Sequence, residues 1–179
     1  MMPLFQHIKL LSLSCADICL LRKKPQDLPA SGVLLFLCCL SYFLSSFILA
    51  YSYQNPVNSL IVALTDLGLM VILTKLILAT GGKSERWTQT GTALLGTGTI
   101  FGLLAIPVYY LLSINGTPEN AELILTFMIW FLIVWNITVM AHILSHALSI
   151  PFAVGVPMAL IYVFIISGII ISLTAGPPS

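Results

Sequence analysis

The feature of this sequence that most restricts its fold is a series of five long apolar stretches separated by short polar breaks. A membrane-spanning α-helix needs about 20 mostly apolar residues, and each stretch reaches that length. A single segment in lipid must satisfy its backbone hydrogen bonds internally, as a helix does. The alternating pattern of a membrane barrel strand is absent from this sequence. Each stretch is therefore predicted to be a helix. The predicted spans are 31–53, 57–80, 92–112, 121–145 and 151–174.

The composition agrees with a chain whose main solvent is lipid. Only 7% of its 179 residues are charged and 59% are hydrophobic, with a mean hydropathy of +1.06, whereas soluble domains carry about 25% charged residues. We therefore predict an all-α, polytopic membrane helical bundle, with residues 31–179 forming the transmembrane domain. The net charge of +1 leaves no basic patch that could follow a phosphate backbone, so no nucleic-acid partner is expected.

Residues 1–30 form a separate N-terminal unit in this interpretation. Polar residues interrupt the apolar positions of segment 4–22, which makes it too polar and too short to cross a bilayer. Such a segment is typical of an amphipathic helix lying in the membrane interface. Pro25 and Pro29 are expected to form a stiff elbow between this helix and the first membrane span.

The distribution of lysine and arginine predicts the orientation. The loops after the first and third spans and the C-terminal tail contain no basic residue, and every basic residue lies at, or can reach, the opposite side. Cytoplasmic loops are the ones enriched in Lys and Arg, which predicts a cytoplasmic N-terminus and a periplasmic C-terminus in a bacterial inner membrane. The basic residues are Lys9, Arg22, Lys23, Lys24, Lys75, Lys83 and Arg86.

The four cysteines are expected to be free thiols. Cys15, Cys19, Cys38 and Cys39 all fall outside the predicted periplasmic loops, and disulfides persist mainly in oxidising compartments.

Two short motifs carry a family resemblance. Residues 80–83 read Thr-Gly-Gly-Lys at the end of the second span, and residues 142–145 read His-Ile-Leu-Ser at the end of the fourth, with Pro157 following in the fifth. This order resembles bacterial members of the Yip1 superfamily, which combine a cytoplasmic N-terminal segment with five membrane helices. Residues 84–86, Ser-Glu-Arg, depart from the glycine and aromatic residues common there. The resemblance implies a fold more than an activity. Eukaryotic relatives act in vesicle traffic with small GTPases, whereas most bacterial relatives have no defined role.

Asp66 is the most informative single residue because it lies inside the second apolar span. An intramembrane carboxylate is costly and usually faces the bundle interior, paired with another group. Lys75, nine positions further on, is about 13 Å away along the helix axis, too far for a direct ion pair. A partner on another helix, such as Asn136 or Tyr109, is one expectation. The site is then either a proton or cation site, or a structural anchor, or a contact to another subunit.

Other residues suggest helix packing or metal binding. Gly98 and Gly102 form a small-xxx-small pattern that lets two helices approach closely, within this bundle or with a partner chain, and Asn136 can join helices through its amide. His142 and His146 are four positions apart and share a helix face, which allows both to bind one metal ion or a haem. No third ligand is near them in sequence, so two interfacial histidines are the preferred interpretation and no cofactor is predicted.

The sequence shows no phosphate-binding loop, nucleophile elbow or carboxylate pair. The first functional prediction is therefore a non-catalytic accessory or scaffold subunit of a larger membrane complex, with membrane lipid and other membrane-protein subunits as its partners. The first alternative is a small transporter or channel that uses Asp66. The second alternative is a metal- or haem-binding membrane protein that uses His142 and His146.

Overall fold

A computed structural model describes residues 4–114 and 118–174, with side chains from residue 11 onward. Residues 115–117, in the middle of the break predicted between the third and fourth spans, lie outside the described residues, as does the C-terminal tail 175–179. The described parts contain six helices and no strand. Short 3-10 turns occupy Pro25–Asp27 and Ser84–Arg86. The helices are α1 (Leu4–Cys19), α2 (Gly32–Tyr51), α3 (Pro56–Thr80), α4 (Trp87–Ser113), α5 (Glu119–Leu148) and α6 (Phe152–Thr174).

The prediction of five membrane-length helices is confirmed. Helices α2 to α6 are each long and apolar enough to cross a bilayer, as expected for a polytopic membrane protein. The largest difference in bounds is at α4, which begins at Trp87 and not at the predicted position 92. Hydropathy marks only the apolar part of a helix, whereas backbone hydrogen bonding continues through polar residues such as Thr88 and Gln89.

The helix ends follow the punctuation in the sequence. The Asn55 side chain accepts a hydrogen bond of 2.9 Å from the Asn58 backbone N–H and caps α3, with Pro56 in the first turn, where its missing N–H has no helical partner. Gly82, at φ +64°, ends α3, since glycine adopts this left-handed conformation without steric cost. Ser149 has a similar φ of +59° just after α5.

Helices α2 to α6 form a ring. Helix α2 packs against α3 and α4, α4 packs against α5, α5 packs against α6, and α6 returns to α3. Helix α4 is the most enclosed member, since every residue from 90 to 97 is buried. The ring is therefore tightly packed in the half that holds the start of α4 and the end of α5.

One end of this ring gathers the charged turns, and we call it the basic end, after Lys24, Lys83 and Arg86. The Arg86 guanidinium donates hydrogen bonds to the Ala147 carbonyl (2.9 Å), the Ser149 hydroxyl (3.0 Å) and the His146 carbonyl (3.3 Å). Helix carbonyls at a C-terminus lack intrahelical partners and carry partial negative charge. Arg86 therefore caps α5 and joins the α3–α4 turn to the α5–α6 turn.

The N-terminal helix α1 packs on the outside of the ring against α4 and α5. Ile18 is fully buried, and the Trp135 indole N–H donates a 2.9 Å hydrogen bond to the Cys19 carbonyl. All four cysteines are free, and burial raises the pKa of the Cys19 thiol to about 11, so this thiol is protonated at neutral pH. The C-terminal half of α1 is therefore an integral part of the packed structure.

Candidate functional site

A cavity of about 290 Å³ lies at the centre of the helix ring. Its wall includes residues from all five long helices, and four of the residues singled out in the sequence, Asp66, Gly98, Gly102 and Asn136, line it together. The other polar residues of the wall are Tyr42, Ser45, Ser46, Tyr109, Tyr162 and Ser167. Polar groups from all five long helices therefore surround one space, with Asp66 as its carboxylate.

Asp66 is held by two donors on α2. The Tyr42 hydroxyl donates a 2.8 Å hydrogen bond to Asp66 Oδ2, and the Ser46 hydroxyl donates one of 3.0 Å to the same oxygen. Within the described residues, Oδ1 receives no hydrogen bond. Asp66 lies ten positions after Pro56, about 15 Å along the helix axis, which is near the middle of a hydrocarbon core about 30 Å thick.

The partners of Asp66 differ from those expected. Asn136 and Tyr109 both line the cavity, but neither is hydrogen-bonded to the carboxylate in the described structure. Tyr42 and Ser46 are one helical turn apart on α2, so both side chains face α3. This polar pair within the apolar run of α2 is the sequence feature that marks the partners of Asp66.

The glycines of α4 provide room for α2. A Cβ atom added at Gly98 would lie 2.6 Å from a ring carbon of Tyr42, and one added at Gly102 would lie 3.0 Å from the Ser45 hydroxyl. Both distances are shorter than ordinary van der Waals contact. The small-xxx-small pattern is therefore occupied by α2 of the same chain, and Gly98 positions the tyrosine that binds Asp66.

The cavity is closed toward the basic end. Tyr162 is 1% exposed, and its hydroxyl lies 2.9 Å from both the Thr74 hydroxyl and the Met70 carbonyl. Beyond this layer, Leu94 and Leu144 are almost completely buried. The two exposed members of the wall are Ile133, at the midpoint of α5, and Ser167, in the second half of α6, and both lie outside this closed layer. The open side of the cavity is therefore beside these two residues.

Asn136 contributes an amide side chain to the cavity wall. It is half-buried in the cavity wall, and its side chain has no hydrogen-bond partner within the described part of the chain. The neighbouring Trp135 meets Phe101 of α4 edge to face, with ring centroids 5.3 Å apart. The Asn136 amide is thus free to donate to, and accept from, a molecule in the cavity.

Lys75 is placed away from this site. It is exposed on α3, and its ammonium lies 4.9 Å from the ring centroid of Trp87, a distance suited to a cation–π interaction. Lys75 is not part of the cavity wall. The structure therefore brings together Asp66 and Asn136, but not Lys75.

The two histidines of α5 lie side by side at the basic end. Their ring centroids are 4.5 Å apart, and His142 Nε2 is 3.1 Å from the Lys23 carbonyl oxygen. Among the described residues, no group of three or more His, Cys, Asp or Glu side chains is arranged to hold a metal ion. The side chain of His7, the third histidine, lies outside the described residues. The described site thus offers two imidazoles and a backbone carbonyl.

Comparison of the chain with protein-family models, curated proteins and solved structures finds no match. The resemblance to the Yip1 superfamily therefore stays a prediction. The fold and its central cavity define the class of protein here, a helical membrane bundle with one internal carboxylate beside an internal space.

Proposed function

We propose that this chain is a small membrane transporter or channel, with Asp66 in the central cavity as its cation or proton site. The observation that carries the proposal is that the two oxygens of the Asp66 carboxylate are bonded unequally. Both donors bind Oδ2, whereas Oδ1 receives no hydrogen bond within the described residues. Asp66 lines a cavity of about 290 Å³. A carboxylate in the middle of a bilayer is costly, and such groups commonly mark ion or proton pathways.

A purely structural role for Asp66 explains less of the molecule. An anchor between α2 and α3 needs only the hydrogen bonds to Tyr42 and Ser46. It needs neither the adjoining cavity nor the unpaired amide of Asn136 in the same wall. The convergence of polar groups from separate helices on one space supports a binding function, since ligand sites are concave with a few polar groups among apolar ones.

An accessory or scaffold subunit is the second candidate. The observation that favours it is the N-terminal half of α5, whose large apolar side chains are exposed along one broad face of the helix. Another membrane-protein subunit, or lipid, would cover this surface. The glycine pattern of α4 no longer supports this candidate, because Gly98 and Gly102 already pack against α2. The exposed residues are Leu123, Ile124, Phe127, Met128, Trp130, Phe131 and Val134.

The proposal includes the membrane arrangement. The gathering of Lys24, Lys83 and Arg86 at one end supports a cytoplasmic location for that end, following the positive-inside rule. In the proposed arrangement the N-terminus is cytoplasmic, the C-terminus is periplasmic, and α1 lies at the cytoplasmic leaflet of a bacterial inner membrane. The open side of the cavity, beside Ile133 and Ser167, then lies between the centre of the membrane and its periplasmic face. A role for His142 and His146 as a metal or haem site has less support, because no third side-chain ligand accompanies them among the described residues.

The test is ion flux in proteoliposomes made with the purified chain. We expect dissipation of an imposed proton or potassium gradient by the unaltered protein, and loss of that flux in Asp66→Asn, which keeps the size and the hydrogen-bond acceptor. Glu122→Gln is the matched control, because Glu122 is an exposed acid near the start of α5. Equal flux in both variants, or no flux from the unaltered protein, would contradict the proposal.

A further inference from the structure

We propose that the central cavity binds a small organic ammonium ion, a primary amine with an apolar body, with its ammonium group against Asp66 Oδ1. This inference rests on the proposed role of Asp66 as a cation site and adds the chemical class of the ligand. The charge, the wall and the size of the cavity each point to it.

The charge on the cavity wall favours a cation as the ligand. Asp66 is the single carboxylic acid in a wall that contains no lysine, arginine or histidine. Lys75, the nearest basic residue along α3, is directed toward Trp87. A buried carboxylate without a positive partner is unfavourable in a medium of low polarity, and a bound cation offsets part of that penalty.

The apolar character of the wall favours an organic cation over a bare metal ion. Divalent cations such as Ca²⁺ take about six to eight oxygen ligands, and a desolvated ion in an apolar cavity loses its hydration without replacement. Here Asp66 and Asn136 share the wall with a few hydroxyl groups and a larger number of hydrocarbon and thioether side chains. An alkyl chain on the ligand buries its surface against them, which adds favourable free energy. These apolar residues include Met70, Phe101, Leu132, Ile137, Met140 and Ile166.

The donors and acceptors of the wall match an –NH₃⁺ group. An ammonium has three N–H donors and no acceptor. Asp66 Oδ1 and the carbonyl oxygen of Asn136 supply acceptors from two different helices. The Tyr42 and Ser46 hydroxyls are already oriented toward Oδ2, which fixes the carboxylate so that little side-chain entropy is lost on binding.

The size of the cavity limits the ligand. A volume of about 290 Å³ is just below the range of about 300–1,000 Å³ found for small-molecule sites. The exposed residues of the wall, Ile133 and Ser167, mark the open side of the cavity. An amphiphilic amine that partitions into the bilayer would therefore meet this open side.

Calorimetric titration of the full chain in detergent tests this inference. The probe is hexylammonium, compared with 1-hexanol as the neutral analogue and hexanoate as the anionic one, each corrected with protein-free micelles. We expect hexylammonium to bind at least about tenfold more tightly than hexanol, a difference of about 1.4 kcal/mol, and hexanoate not to bind. Asp66→Asn should remove that preference, Asn136→Leu should reduce hexylammonium affinity, and Glu122→Gln should leave it unchanged.

Two outcomes overturn the inference. One is equal affinity for hexylammonium and hexanol, and the other is a hexylammonium preference that survives in Asp66→Asn. Asp66→Glu, which retains the charge, serves as the second variant if Asp66→Asn fails to fold, and it should keep the preference for the amine. If amine binding fails while flux depends on Asp66, the ligand class is wrong and the proposed function stands. If the amine binds and no flux occurs, the site is a binding site and the transport proposal fails.

Discussion

Tyr42 on α2 and Asp66 on α3 are joined by a 2.8 Å hydrogen bond in which the phenol donates to Oδ2. The Tyr42 ring lies against α4 at Gly98, so this one residue connects three helices. The position of the carboxylate in the cavity depends on that contact. The Tyr42–Asp66 hydrogen bond and the Tyr42–Gly98 contact can therefore be tested separately, each with its own substitution.

Removal of the Tyr42 hydroxyl should weaken the hold on Asp66 without disturbing the packing. Tyr42→Phe keeps the ring against Gly98 and leaves Oδ2 with Ser46 as its only donor. Side-chain hydrogen bonds in membrane proteins contribute about 0.6 kcal/mol on average, and those to charged groups in proteins contribute about 1.5–3 kcal/mol. We expect a loss of about 1 kcal/mol in the free energy of unfolding, measured by thermal unfolding in detergent. Tyr110→Phe, at a 62% exposed position, is the control, and an equal effect at both positions would contradict the assignment.

Addition of a methyl group at Gly98 should separate α2 from α4. The new Cβ atom would lie 2.6 Å from a Tyr42 ring carbon, and overpacking of this kind typically costs about 1–3 kcal/mol. Gly98→Ala should therefore lower the unfolding temperature and also weaken any ligand binding that depends on Asp66. Gly168→Ala on α6 is the matched control, because nothing lies within 4 Å of its added Cβ. That control should be neutral or slightly stabilising, since alanine is favoured over glycine in helices. A Gly98→Ala protein as stable as the control would show that α2 and α4 are further apart.

Asp66 illustrates which features of the site can be predicted from the sequence and which cannot. The cost of a charge in lipid predicted that Asp66 would face the bundle interior, and the structure places it on the central cavity. The hydrogen-bond partners of Asp66 could not be predicted from the sequence, because they depend on how α2 and α4 are rotated and staggered beside α3. Tyr42 sits in an apolar run where an aromatic residue is ordinary, and only Ser46, one helical turn away, distinguishes it from a lipid-facing side chain.

The helix number and most of the helix ends were predictable for a different reason. Length, apolar content, proline and glycine act locally, as at Pro56 and Gly82, so they can be interpreted one segment at a time. The contacts of α1 were harder to predict from the sequence. The hydrogen bond from Trp135 to the Cys19 carbonyl joins residues 116 positions apart, and the packing of Gly96 against Cys15 has no signature beyond two small residues.

Loss of the Arg86 cap should destabilise the basic end. Arg86→Met removes three hydrogen bonds at the C-terminus of α5, and cations near helix C-termini contribute about 0.3–1 kcal/mol, rising to about 2 kcal/mol in partly buried geometry. We expect a decrease of about 1–2 kcal/mol in unfolding free energy. Lys83→Met removes the same charge from the same turn without that cap and should change stability by less than about 0.5 kcal/mol. Equal losses in the two variants would mean that general charge, and not capping, is responsible.

The most direct test of a reachable cation site at Asp66 is the rate of cysteine labelling from water. Asn136→Cys faces the cavity, whereas Val134→Cys, 60% exposed, faces outward on the same helix. Thiolate is the reactive form, and it does not form in lipid. The label is the positively charged aminoethyl methanethiosulfonate, applied to protein in lipid nanodiscs and followed by mass spectrometry, with the unaltered chain giving the background of native thiols. We predict that Asn136→Cys reacts at least about tenfold faster than Val134→Cys and that hexylammonium slows it. Equal rates at the two positions would contradict an accessible central cavity.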